Sequence, residues 1–186
     1  VKDIELKKNM NSNELINELF ESGGFTAKKA AVGVNILEKM VKEKNCYKFL
    51  SFPACIISTG TRGVIKELLK RKIFDCVITT CGTLDHDLAR IWEKYYHGSF
   101  AVDDSQLHKQ GVNRLGNIFI PNECYGKVLE DKMQPILDTI YKKNKKWSTK
   151  DLIWEFGKAL GSEKNKEDSI LYWAYKNKIP IYVPGI

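Results

Sequence analysis

Four short apolar runs, at 47–52, 75–79, 117–120 and 179–183, set the terms for how this chain folds. Each is too short for a helix of the core, so each reads as a buried strand. Between them the apolar residues recur at helical spacing. Residues 12–21 place Leu15, Ile16, Leu19 and Phe20 on one face, with Asn11 and Glu14 spaced as a capping box and Gly23-Gly24 as a stop. Residues 26–44 carry Ala27, Ala30, Ala31, Val34, Leu37 and Val41 in the same period, with Thr26 as expected N-cap. Val64, Ile65, Leu68 and Leu69 return to that period, as do Leu88, Ile91, Trp92, Tyr95 and Tyr96, with Asp85 the expected cap of the latter helix. Helices are expected over 125–141, kinked at Pro135, from Ser148-Thr149 through Leu160, and over 170–175. Strands alternating with helices predict an α/β fold, a three-layer Rossmann-like domain with a mostly parallel sheet, spanning 1–186 as one domain.

Composition narrows the function. The 186 residues are 43% hydrophobic, and 30 Lys plus Arg against 23 Asp plus Glu give a net charge of +7. Disordered, collagen-like and disulfide-miniprotein classes are excluded. No apolar run approaches the ~18 residues of a membrane span, and 1–10 has no apolar signal core, so no membrane partner is expected. The chain starts at Val1 rather than Met, which is expected to reflect trimming. Cysteines at 46, 55, 76, 81 and 124 are irregularly spaced, and His86, His97 and His108 fall outside metal-ligand spacing. Thiols in a cytoplasmic protein without a metal are the expectation. Lys142, Lys143, Lys145, Lys146 and Lys150 surround Trp147 in a run best read as a solvated loop, with acidic residues resuming at Asp151, so no nucleic-acid partner is expected.

Open parallel sheets bind ligands beyond the carboxyl ends of their strands, so the loops there carry the functional information. After the first run, 51–63 combines Pro53, the hydroxyls of Ser58 and Thr59, and Gly60 and Gly63 before a helix. Such a loop can approach a phosphate closely, although a bare strand-to-helix turn explains it as well. After the second run, 79–87 brings Thr79, Thr80, Cys81 and Gly82 to Asp85, His86 and Asp87. Carboxylates and an imidazole in that position suit a cationic amine or a ribose, and helix capping is the plainer alternative for Asp85. Arg114, Asn113 and Asn117 in 111–117 are expected at the opposite end, tying loops or subunits together. Asn122 and Glu123 follow the third run at its carboxyl end, where capping the next helix is at least as good a reading as a ligand role. The last run stops three residues before the chain does, where its ligand-facing loop is expected.

The strings FPACIISTGTRG, TTCGTLDHDLAR, GVNRLGNIFIPNECY and SILYWAYKNKIPIYVPGI, in this order and spacing, resemble deoxyhypusine synthase, most closely its archaeal form. The resemblance covers essentially the whole chain. It implies an NAD-dependent transferase that moves the aminobutyl group of spermidine onto a lysine of the hypusine-bearing translation factor. It also implies a homotetramer. By the same resemblance, Ala54, Cys55, Ile56, Ile57 and Ser58 match one NAD-contacting loop, and Thr80, Cys81 and Gly82 a second. Asp85 and His86 match two acidic positions that face spermidine in eukaryotic members, the second also touching NAD. His86 departs from that acidic pair, and Cys55 replaces an asparagine.

The family's threonine-aspartate-glycine loop, its second NAD segment and the lysine that forms an imine are absent from these 186 residues. No catalytic residue is therefore assigned. The chain is expected to be the N-terminal part of such a synthase, its sheet completed by another segment or chain. A non-catalytic paralogue that assembles with a full-length synthase, or a homospermidine-type polyamine synthase, remain the alternatives.

Overall fold

In the computed structural model, residues 1–184 are described; Gly185 and Ile186 of the terminal tripeptide lie outside them. The chain divides into two compact units, Val1–Tyr47 and Lys48–Ile186. The first is a pair of helices, α1 (Ser12–Ser22) and α2 (Ala27–Lys42). Its start is fixed locally. Asn11 accepts from the Glu14 amide and the Glu14 carboxylate accepts from the Asn11 amide, the reciprocal box that the spacing predicts. Gly23, at φ +65°, ends α1 in the left-handed region that favours glycine. Thr26 does occupy the N-cap of α2, but its backbone is helical and its side chain caps nothing.

The second unit holds the α/β architecture. Strands β1 (Phe49–Phe52), β2 (Cys76–Thr79) and β6 (Ile181–Tyr182) form a parallel sheet in the order β1-β2-β6. Phe52 pairs with Thr79, and Ile78 with Tyr182, so all three strands end together at one edge. Helices α3 (Arg62–Lys70), α4 (Gly82–Trp92), α6 (Gly126–Lys143), α7 (Thr149–Ala159) and α8 (Ile170–Asn177) cover the sheet's apolar residues. Leu69, Leu88, Ile140, Ile153, Phe156 and Leu171 pack with Val77 and Ile181 in one core. α6 runs unbroken through Pro135. α7 and α8 approach closely at Gly157, where an added Cβ would lie 2.3 Å from the Leu171 carbonyl oxygen.

Three expectations are corrected. The 117–120 run becomes β5 (Ile118–Pro121), which leaves the parallel sheet and pairs antiparallel with β3 (Tyr96–His97) and β4 (Val112–Leu115). The reason is local: Gly116 (φ +62°) and Asn117 make a two-residue turn, and only antiparallel strands can be joined so briefly. The segment 111–117 is therefore half of a hairpin. β1 is an edge strand among the described residues, with Phe52 its one buried position, where the apolar run predicts a buried strand. Finally, α4 starts at Gly82 with Cys81 as N-cap, which places Asp85 inside the first turn rather than at the cap. The helix ends at Trp92, and Tyr95 and Tyr96 lie beyond it.

Candidate functional site

The carboxyl edge of the parallel sheet brings the two expected cofactor segments together. Residues Ala54–Ile57 form a 3-10 turn directly after β1, and Thr80 to Gly82 run from β2 into α4. The Ala54 amide donates to Thr80 Oγ1 at 3.0 Å. A Cβ on Gly82 would sit 3.0 Å from that of Ala54, so glycine permits this close approach. Beneath, Thr79 Oγ1 donates to the Phe52 carbonyl at 2.8 Å and meets Thr83 Oγ1 at 2.7 Å, which ties both strand ends to α4. A cleft of about 370 Å³ opens there, lined by Ser51, Phe52, Pro53, Ile78, Thr79, Thr80 and Pro184.

The expected residues do not share one role. Cys55, Thr80 and Cys81 are exposed, and Ala54, Ile56 and Gly82 are partly exposed. Ile57 and Ser58 are buried instead. Ser58 Oγ donates to the Cys55 carbonyl, while the Ile57 carbonyl accepts from Arg90 at 2.6 Å. These two residues shape the turn from inside. Arg90, one further turn down α4, is thus a brace that the sequence did not single out.

Asp85 and His86 lie side by side, partly buried, one turn into α4. Asp85 Oδ2 accepts from the Tyr125 hydroxyl at 2.5 Å, and Oδ1 accepts from the His86 amide at 3.0 Å. His86 Nδ1 is 2.8 Å from the Tyr95 hydroxyl. Its ring meets Tyr95 edge-on and leans against Tyr125 with centroids 5.2 Å apart. Burial, the leading cause, and the Arg90 charge push the imidazole below its ordinary range against the opposing pull of Asp85. His86 is therefore neutral at pH 7. Burial holds both tyrosine hydroxyls far above their usual range, with the Asp85 bond adding to it at Tyr125, so both remain protonated donors.

Asp87, the third member of the expected cluster, is turned into the core. It is fully buried and accepts from Arg62 Nε (2.7 Å), Ser169 Oγ (2.6 Å) and the amides of Ile170 (3.1 Å) and Leu171 (3.0 Å). It joins α3, α4 and the start of α8, and through α4 it anchors the turn that bears Asp85. Asn122, expected as a helix cap, accepts from Asn113 across the hairpin instead. Arg114 forks onto Asp104. Among the described residues no group of three or more His, Cys, Asp or Glu is placed to hold a metal, and no helix is long and apolar enough to cross a membrane.

Of the five lysines in 142–150, two pair with acids. Lys143 pairs with Glu155, Lys150 with Asp151, and Lys150 also lies over the Trp154 ring.

The family model described as deoxyhypusine synthase matches residues 14–186. A protein of Picrophilus torridus named "Probable deoxyhypusine synthase" is 53% identical over all 186 residues, which make up 58% of its own length. One of the same name from Thermoplasma acidophilum is 47% identical over the same span, again 58% of its length. A crystal structure assigned to the deoxyhypusine synthases, from Entamoeba histolytica, shares the fold at a TM-score of 0.68 and 21% identity, covering this chain fully and 62% of that one. The chain thus spans somewhat over half the length of the relatives it matches, and it belongs to the deoxyhypusine synthase family.

Proposed function

We propose that this chain supplies the amino-terminal, dinucleotide-facing part of an NAD-dependent synthase. That synthase transfers the aminobutyl group of spermidine to a lysine of the hypusine-bearing translation factor. The observation that carries the reading is the meeting of the 54–58 turn and the 80–82 turn at the carboxyl edge of β1 and β2, linked by the Ala54–Thr80 bond. Dinucleotides bind at such edges, where small residues let backbone approach the ligand. Gly82 and the cleft beside it fit that requirement. Ala54, Cys55, Ile56, Thr80, Cys81, Gly82 and His86 would face the cofactor, with Ile57 and Ser58 holding the turn from below.

Bound NAD supplies a hydride acceptor for the oxidation of spermidine. This chain's own contribution is binding and orientation. Asp85 offers a carboxylate to a cationic amine, and neutral His86 offers a hydrogen bond from its second ring nitrogen. The lysine that forms the covalent imine belongs, in this reading, to the part of the relatives outside the span matched here. A homotetramer completes the assembly by the same analogy.

Calorimetric titration of the chain with NAD tests the proposal. Saturable binding that Gly82→Val weakens more than tenfold is the expected result, since a branched side chain would force the two turns apart. No NAD binding by the unmodified chain, or equal binding by the variant, overturns it.

A further inference from the structure

Tyr125 touches both Asp85 and His86. It lies just before α6, forty residues from Asp85. Its hydroxyl donates to Asp85 Oδ2 at 2.5 Å, and its ring leans on the His86 imidazole. The other carboxylate oxygen accepts from the His86 amide, so both oxygens of Asp85 are engaged, one of them by Tyr125. A hydrogen bond to a charged group is among the stronger polar contacts, and its geometry fixes where the carboxylate can meet a ligand. We propose that Tyr125 is a positioning residue, which holds Asp85 in the orientation that receives an ammonium group of a linear polyamine. The proposal rests on the polyamine reading above and extends it to a residue on a different element.

Pre-orientation of this kind shows in affinity. A carboxylate that is free to rotate must be ordered when the amine arrives, and that cost appears as weaker binding. Tyr125→Phe keeps the ring against His86 and removes only the hydroxyl. Because Tyr125 acts through Asp85, the hydroxyl has nothing left to contribute once Asp85→Asn has removed the carboxylate.

The test uses the full chain, titrated with spermidine in the presence of saturating NAD, and the Asp85 carboxyl carbon resonance of the free protein. Tyr125→Phe is expected to weaken spermidine about tenfold, leave NAD affinity within twofold, and move the Asp85 resonance before any ligand is added. The double variant is expected to bind spermidine no more weakly than Asp85→Asn alone. A purely structural role for Tyr125 gives losses that multiply, and that result overturns the proposal. So does spermidine affinity of Tyr125→Phe within twofold of the parent, or an unmoved Asp85 resonance. If the parent binds no spermidine, the functional reading falls and the proposal with it. If the parent binds and only the coupling is missing, the proposal alone falls.

Discussion

The two units of this chain carry apolar patterns of similar clarity and put them to different use. In Val1–Tyr47, helices α1 and α2 are amphipathic, yet Ala31 is the sole buried residue among those described. Ile36, Leu37 and Val41 remain about half exposed. In the unit from Lys48 onward, the same spacing delivers Leu69, Leu88, Phe156 and Leu171 into a closed core with Val77 of β2 and Ile181 of β6. Periodicity states which face of a helix is apolar. It does not state how much of that face is covered, and burial rather than pattern is what stabilises.

The contrast can be broken or sharpened by substitution. The four tryptophans, at 92, 147, 154 and 173, all lie in the second unit, so their fluorescence reports its unfolding alone. Asp87→Ala is expected to have the largest effect, a loss of about 3–5 kcal/mol in urea unfolding, because it strands the buried Arg62 without its partner. A loss below about 1 kcal/mol would show that the network is dispensable. Leu88→Ala follows at about 2–5 kcal/mol, for a fully buried side chain whose removal leaves a cavity. Gly157→Ala is expected to cost about 1–3 kcal/mol, since α7 and α8 must part to admit one methyl group.

The first unit should respond more weakly. Asn11→Ala removes a side-chain cap and is expected to cost about 1 kcal/mol, seen as faster amide exchange in the first turns of α1. Leu37→Ala, on the exposed face, should change stability by no more than about 0.5 kcal/mol. A loss of 2 kcal/mol there would mean that this face is covered in solution, and would erase the contrast.

Much of the fold was legible, for reasons that are local. The Asn11–Glu14 box, the Gly23 stop and the Ser148 cap each depend on residues within four positions, and all three form. The hairpin was open to the same kind of reading. Gly116-Asn117 between two short runs is a turn signal, and overlooking it placed β5 in the wrong sheet. The start of α4 was misread because Asp85 suits an N-cap by type. The chain instead turns at Cys81, where Gly82 can meet Ala54.

The candidate site was legible only in part. Thr80, Gly82 and Ala54 follow strands, and the strand ends do converge. Tyr95 reads as packing from its place in an apolar stripe, and nothing near Tyr125 in the chain marks its partners. Their hydroxyls act over 9 and 40 residues of sequence separation. Asp87 looked like the third member of an acidic ligand cluster, and its partners lie 25 and more than 80 residues away. Nothing in its neighbourhood in the chain announces them.

By itself, then, the sequence determined the helices, the α/β class and the loops that follow the strands, since spacing, caps and turns act within a few residues. Tertiary structure decided which of three adjacent residues faces outward. Asp85 and His86 are held at the sheet's open edge by two tyrosines, while Asp87 is drawn inward to meet Arg62 and the start of α8. The physical reason is helical geometry: successive side chains on α4 point about 100° apart, so neighbours in sequence face different partners. Which partners those are depends on how α3, α6 and α8 pack around that helix.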